Sequence, residues 1–168
     1  MPFMHKTLMQ KNLIKKAALI SASALLLTAA VGTAQADTLS LDRLDDVLGF
    51  TADYGFTHIE ELSVDGGNRI EVEGWLDEEW YADVEFSLDS GETLSEERER
   101  LVSGAWGMSE EDIRQAFERA RQEGMVDFEE IDINRSGIID LEGRDESGRD
   151  IDVSVRQGSY EVVEVDRD

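Results

Sequence analysis

The chain of 168 residues contains no cysteine, so it has no disulfide and no residue for lipid attachment, although an exported chain could use either. Positive charge is nearly as scarce. Residues 1–36 hold 4 of the 16 basic residues and none of the 39 acids, which leaves 12 arginines and no lysine in the remainder. That remainder carries a formal charge of −27. Such a charge repels nucleic acid and anionic membrane, so neither is expected as a partner. Two readings of the acidity remain. One is a solvated surface suited to a salty exterior, and the other is a face that docks on a basic partner. Histidine is almost missing as well, because only His58 lies beyond residue 36. A hydrolase needs a nucleophile beside a base, usually His. His58 lies between Thr57 and Ile59 at a strand start, where a solvent-facing position is expected. There is no phosphate loop, no dinucleotide fingerprint and no His/Cys metal cluster. No catalytic residue and no cofactor are therefore expected.

Only one long apolar run is present, Ala17–Val31, preceded by a lysine-bearing stretch without acids and followed by Gly32-Thr33-Ala34-Gln35-Ala36. Small residues at −3 and −1 predict a secretory signal peptide over 1–36, cut between Ala36 and Asp37. A run of this length is short for a membrane span, the rival reading, which needs about 18–20 residues. The expected location is periplasmic or secreted, with no membrane attachment after cleavage.

What the rest contains is a copy of itself. Residues 40–96 align without gaps on residues 109–165, an offset of 69, with 11 identities in 57 pairs. Among the identities are Ser40/Ser109, Gly55/Gly124, Glu60/Glu129, Glu61/Glu130, Ile70/Ile139, Gly74/Gly143 and Asp83/Asp152. Apolar positions keep the same register, as in Leu48/Phe117, Leu62/Ile131, Val64/Ile133 and Val72/Leu141. Acidic bias inflates the Glu matches but cannot align the apolar ones. A duplicated unit means one plan used twice.

Ser109 reads as an N-cap with Asp112 in the first turn, and Ile113, Ala116, Phe117 and Ala120 follow at helical spacing until Gly124. Ser40, Leu44, Val47, Leu48 and Gly55 repeat this more weakly. After each glycine the period becomes two, with turns at Asn134–Gly137, Asp145–Gly148 and Gln157–Ser159. The alternation slips at Glu60-Glu61 and at Glu129-Glu130, which predicts a bulge at matched positions. The fold class is therefore α+β: two repeats of a helix followed by a meander of three or four antiparallel strands. One face of each meander is apolar and the other acidic. A unit of about 60 residues buries little core alone, so the copies either pack together or share one sheet. The boundaries are 37–104 and 105–168, with residues 97–107 as the link.

A signal peptide, a helix, a Gly-aromatic or Gly-Met junction and a strand such as Phe128–Val155 resemble the PepSY family. The matching residues are Gly124, Ile131, Asp132, Ile139–Gly143, Asp145–Gly148 and Ile151–Val155, and in the first copy Gly55-Phe56, Leu62, Ile70–Gly74 and Ala82–Phe86. The resemblance covers nearly all of Ser40–Val165. It implies a small envelope or extracellular domain, similar in fold to tandem-repeat β-lactamase inhibitor proteins. It also implies a non-catalytic role, binding or inhibiting another envelope or extracellular protein such as a peptidase. The family has no universal catalytic residues to carry over, and this chain departs from it in its extreme acidity.

Two stretches are candidate sites. The hairpin Gly74–Tyr81 carries Trp75, Trp80 and Tyr81 where its counterpart, residues 143–150, is wholly polar. Aromatic anchors ringed by charge suit a partner interface; the competing reading packs them against the join between the copies, with Trp106. The alternative site is Asp132-x-Asn134-x-Ser136-Gly137-x-Ile139-Asp140, which fits several positions of a calcium loop. Its position 12 is Gly143 instead of the bidentate Glu such a loop requires. A hairpin turn accounts for the same residues without metal.

Overall fold

The computed structural model describes residues 38–66 and 68–168; the expected signal peptide and its cleavage point lie outside the described residues. The chain runs β1 (Leu39–Ser40), a 3-10 turn (Leu41–Arg43), α1 (Leu44–Tyr54), β2 (His58–Asp65), β3 (Arg69–Trp75), β4 (Trp80–Ser87) and β5 (Thr93–Arg100). It continues with α2 (Glu110–Gln122), β6 (Met125–Ile133), β7 (Ile138–Asp145), β8 (Asp150–Arg156) and β9 (Glu161–Arg167). The architecture is α+β. The strands form one antiparallel nine-stranded sheet in the order β5-β4-β3-β2-β6-β7-β8-β9, with β1 also paired to β6.

Local chemistry accounts for each helix. Ser109 and Asp112 form a reciprocal capping box at the start of α2, satisfying two otherwise orphaned N–H groups. Ser40 caps the 3-10 turn that leads into α1. Gly55 and Gly124 follow the helices at φ 108° and 104°, where a side chain would be strained. Each helix then presents its apolar stripe to one face of the sheet. Phe50 and Tyr54 of α1 meet Phe86, and Phe117 of α2 meets Phe128 at 4.9 Å between ring centres. Alternate strand residues complete a single core: Leu62, Ile70, Val72, Val84 and Phe86 on one side, Phe128, Ile131, Ile139, Leu141 and Val153 on the other. Each such side chain, fully buried, stabilises the fold by about 1.5–3 kcal/mol.

The seam at the middle of the sheet is reciprocal. β2 and β6 pair through Glu61↔Asp132, Leu62↔Ile131 and Ser63↔Glu130. Leu39 lies opposite Phe128, and Met108 bridges Ile59 in the same antiparallel sense. Every one of these pairs maps onto another, or onto itself, when 69 is added to one number and subtracted from the other. The bulges fall where the alternation slips, between Ile59 and Glu61 in β2 and between Phe128 and Glu130 in β6. At each bulge a glycine of the next strand lies against the backbone. A Cβ on Gly74 would collide with the His58 carbonyl and come within 2.9 Å of Ile59 Cα. One on Gly143 would meet the Asp127 carbonyl and come within 3.0 Å of Phe128 Cα.

One boundary differs from the expectation. The link between halves begins at Leu101 and not at residue 97, because Glu97, Glu99 and Arg100 pair with Asp83, Tyr81 and Trp80 as part of β5. An edge strand exposed along its whole length tolerates charge at every position, so hydrophobic alternation does not reveal it.

Candidate functional site: the open acidic face

Strand alternation puts every second residue on the face away from the helices. The ladder registers join these residues into two rows that cross the whole sheet. One row runs Glu97, Asp83, Glu73, Glu61, Asp132, Asp140, Ser154 and Glu164 from β5 to β9. Beside it run Ser95, Glu85, Glu71, Ser63, Glu130, Glu142, Asp152 and Asp166. Neither row contains a basic residue. Arg69 flanks the rows at one end, paired with Asp65 and Glu85, and Arg144 flanks them beside Asp150. Arg43, Arg114 and Arg121 instead pair with acids of the helix side: Arg43 with Asp46, Arg114 with Asp45 and Glu110, Arg121 with Asp42.

Like charges directly opposite in a ladder repel. The carboxyls respond by holding protons more tightly. Partial burial, then Glu130, Glu73, Asp132 and Glu71, push Glu61 up to about 7. Burial, then Asp83, Glu73 and Asp65, bring Glu71 to about 7. Glu130, Asp132, Glu142 and Asp152 are raised by the same two causes, desolvation first.

The three hairpin aromatics do not form one patch. Trp75 is only 1% exposed; its indole N–H donates to Glu60 at 2.7 Å and its ring meets Tyr81 edge-on at 5.5 Å. Tyr81 donates its hydroxyl to Glu73 at 3.0 Å, which raises the phenol after the larger effect of burial. Trp80, next in the strand, points to the opposite side and is 43% exposed, beside Leu76 and Arg98. Of the three, Trp75 is buried, Tyr81 is half-buried and Trp80 is the exposed one. Trp106 is partly buried against the core and lies under the Arg135 guanidinium at 4.2 Å.

The stretch 132–140 is a β-hairpin. Asp132 faces Asp140 across the ladder, and the Asn134 side-chain oxygen accepts from the Ser136 N–H, the Ser136 hydroxyl and the Ile138 N–H. Asp140 accepts the Ser154 hydroxyl. The oxygens of Asn134 and Asp140 thus already serve the turn and the ladder, whereas calcium wants six to eight oxygens wrapped about it. Elsewhere on the face, oxygens of Glu71, Glu73 and Asp83 come within 4.8 Å of one another. They project from the adjacent strands β3 and β4, whose backbone groups pair in the ladder, and not from a loop that wraps its oxygens about an ion as calcium sites do. Among the described residues His58 has one side-chain hydrogen-bond partner, the Thr57 hydroxyl at 3.3 Å, and no carboxylate bonds its ring. Among the described residues no helix is long and apolar enough to cross a membrane.

Alternation in the sequence marks an acidic face, but the two continuous rows escape it. They depend on β2 meeting β6, a pairing between residues almost 70 positions apart.

No protein-family model and no curated protein matches the chain. Among solved structures, it is similar to a crystal structure from Clostridium difficile 630 described as that of a “putative lipoprotein”. The identity is 18% and the TM-score 0.45, over 77% of this chain and 93% of that one.

Proposed function

We propose that this chain is an exported, non-catalytic binding module, a tandem of two PepSY-like units (37–104 and 105–168), whose open acidic sheet face contacts a basic surface on another envelope or extracellular protein. The observation that carries the reading is the pair of carboxylate rows. The sheet closes one face with helices; on the other the two rows hold no basic residue, and among the described residues only Glu85 of their acids meets an arginine, Arg69. Such a face repels anions and steers a cationic partner toward it. Supporting the two-unit reading is the reciprocal seam, in which each first strand pairs with the other half in matching register. Supporting the non-catalytic reading is the isolation of His58 from any orienting acid.

Carbodiimide crosslinking in an envelope extract of the source organism tests this, because the reagent joins carboxyls to lysines only where they touch. One exported partner should be recovered, linked through Glu130, Glu142 or Asp152 and absent from Glu130→Gln/Glu142→Gln/Asp152→Asn. Crosslinks confined to helix-side acids such as Glu110 and Glu118, or no partner at all, would refute the proposed face.

A further inference from the structure

Glu61 stands at the crossing of the seam. Across one side of β2 it faces Glu73 of β3, with Glu71 on the diagonal; across the other it faces Asp132 of β6, with Glu130 on the diagonal. Glu71 in turn faces Glu85 and the neighbouring Asp83 of β4, and it feels Asp65 of β2. Among the described residues, Arg69 lies on the same strand as Glu71 and is already divided between Asp65 and Glu85, and Arg135 acts on Glu60, beside Glu61. The oxygens of Glu71, Glu73 and Asp83 lie within 4.8 Å of one another, and a proton on the Glu71 carboxyl is stabilised by hydrogen bonding with Asp83. Both helices pack on the other face, through Phe86 and Phe128, so nothing from them offsets the charge.

We propose that this central ladder is a proton-linked element of the fold: the folded sheet holds protons on the Glu61 and Glu71 clusters that the unfolded chain releases, so the protein is more stable in mild acid than at alkaline pH. The inference requires no partner and goes beyond the binding reading. Its sign follows from proton counting. Both carboxyls sit near 7 in the fold and near the ordinary value of about 4.3 when unfolded. Between these limits the folded state binds more protons, so stability rises as pH falls through about 7 and levels off below the unfolded value. The protons come from water and return to it on unfolding. For each proton retained, the ratio of folded to unfolded chain changes about tenfold per pH unit.

Urea unfolding of the purified protein at pH 5, 6, 7 and 8, at fixed ionic strength, is the test. The unfolding midpoint should rise from pH 8 to pH 5. Glu61→Gln/Glu71→Gln should be the more stable protein at pH 8 and should lose most of the slope, because glutamine keeps the shape and removes the charge. The charge-matched pair Glu118→Gln/Glu146→Gln, on α2 and in an exposed turn, should leave the slope in place. A flat wild-type profile would overturn the proposal, as would an equal effect of the control pair, which would assign the slope to net charge. Should the Glu61/Glu71 variant fail to fold, carboxyl carbon NMR titration of the wild type decides directly. Two glutamates must titrate near neutrality, and their absence from that range overturns the inference.

Discussion

Asp45 and Arg114 are separated by the repeat offset of 69 residues, and their side chains meet as an ion pair between α1 and α2. Equivalent positions thus contact each other across the seam, as in the interface of a two-fold dimer. Identical units would place like charges there; an aspartate in one half and an arginine in the other make the contact favourable. The side chains are 80% and 39% exposed, so the pair contributes little, roughly 0–1 kcal/mol. Asp45→Ala should therefore change the unfolding midpoint slightly. Asp45→Arg should cost more, and Asp45→Arg/Arg114→Asp should recover the loss. Additive losses in this double-mutant cycle would show that the two side chains do not interact.

Gly74 and Gly143 lie against the backbone of the two bulges. A methyl group at either position must displace a strand, so Gly74→Ala and Gly143→Ala should each destabilise by about 1–3 kcal/mol, the usual cost of overpacking. Gly49 has nothing within 4 Å of an added Cβ and lies within α1, so Gly49→Ala should stabilise by about 0.5–1 kcal/mol. Thermal melts of the three variants measure both signs at once.

Trp75 and Trp80 should separate stability from recognition. Truncating the buried Trp75 to Ala removes a large core-edge side chain and should cost about 3–5 kcal/mol. Trp80→Ala removes an exposed ring and should change stability by less than about 0.5 kcal/mol. Iodide should quench the Trp80 fluorescence and leave that of Trp75 nearly untouched. A partner that binds wild type and Trp80→Ala equally would exclude Trp80 from the contact.

Asp112 shows the opposite pH behaviour to the ladder. Burial raises its carboxyl, yet donation from the Ser109 N–H and hydroxyl, Tyr160 and Gln157 outweighs this and leaves it below the usual aspartate value. Its contribution is present above the ordinary range near 3.9 and is lost as pH falls through the lower folded value. Stability should therefore peak in mild acid and decline in strong acid. Ser109→Ala should cost about 1 kcal/mol through the lost cap, measured by urea unfolding at pH 6.

Salt should raise the melting temperature. The acidic rows repel over strand spacings of about 5 Å, and ions screen charges beyond a Debye length of ~8 Å at physiological strength and ~3 Å at 1 M. The gain between low salt and 1 M sodium chloride should be larger at pH 8 than at pH 5, where the central ladder is protonated. A melt independent of salt at pH 8 would contradict the electrostatic account of the face.

Local chemistry was readable without coordinates. The Ser109 cap, the helical stripe of Ile113, Ala116 and Phe117, the alternation of Ile139, Leu141, Ile151 and Val153, and the slips at Glu60 and Glu129 each depend on residues close in sequence, where period and turn chemistry act. β5 was missed in part because an exposed edge strand needs no apolar residue. Three outcomes required the tertiary structure. The halves share one sheet because β2 pairs with β6; Trp75 turns inward while Trp80 turns out; and scattered acids line up as two rows. The first and third are set by register between distant strands, the second by the β3–β4 hairpin, and a shift of one residue would send every side chain to the other face. Composition alone determined that the chain would be crowded with negative charge; the pairing of Leu62 with Ile131 decided where that charge would be concentrated.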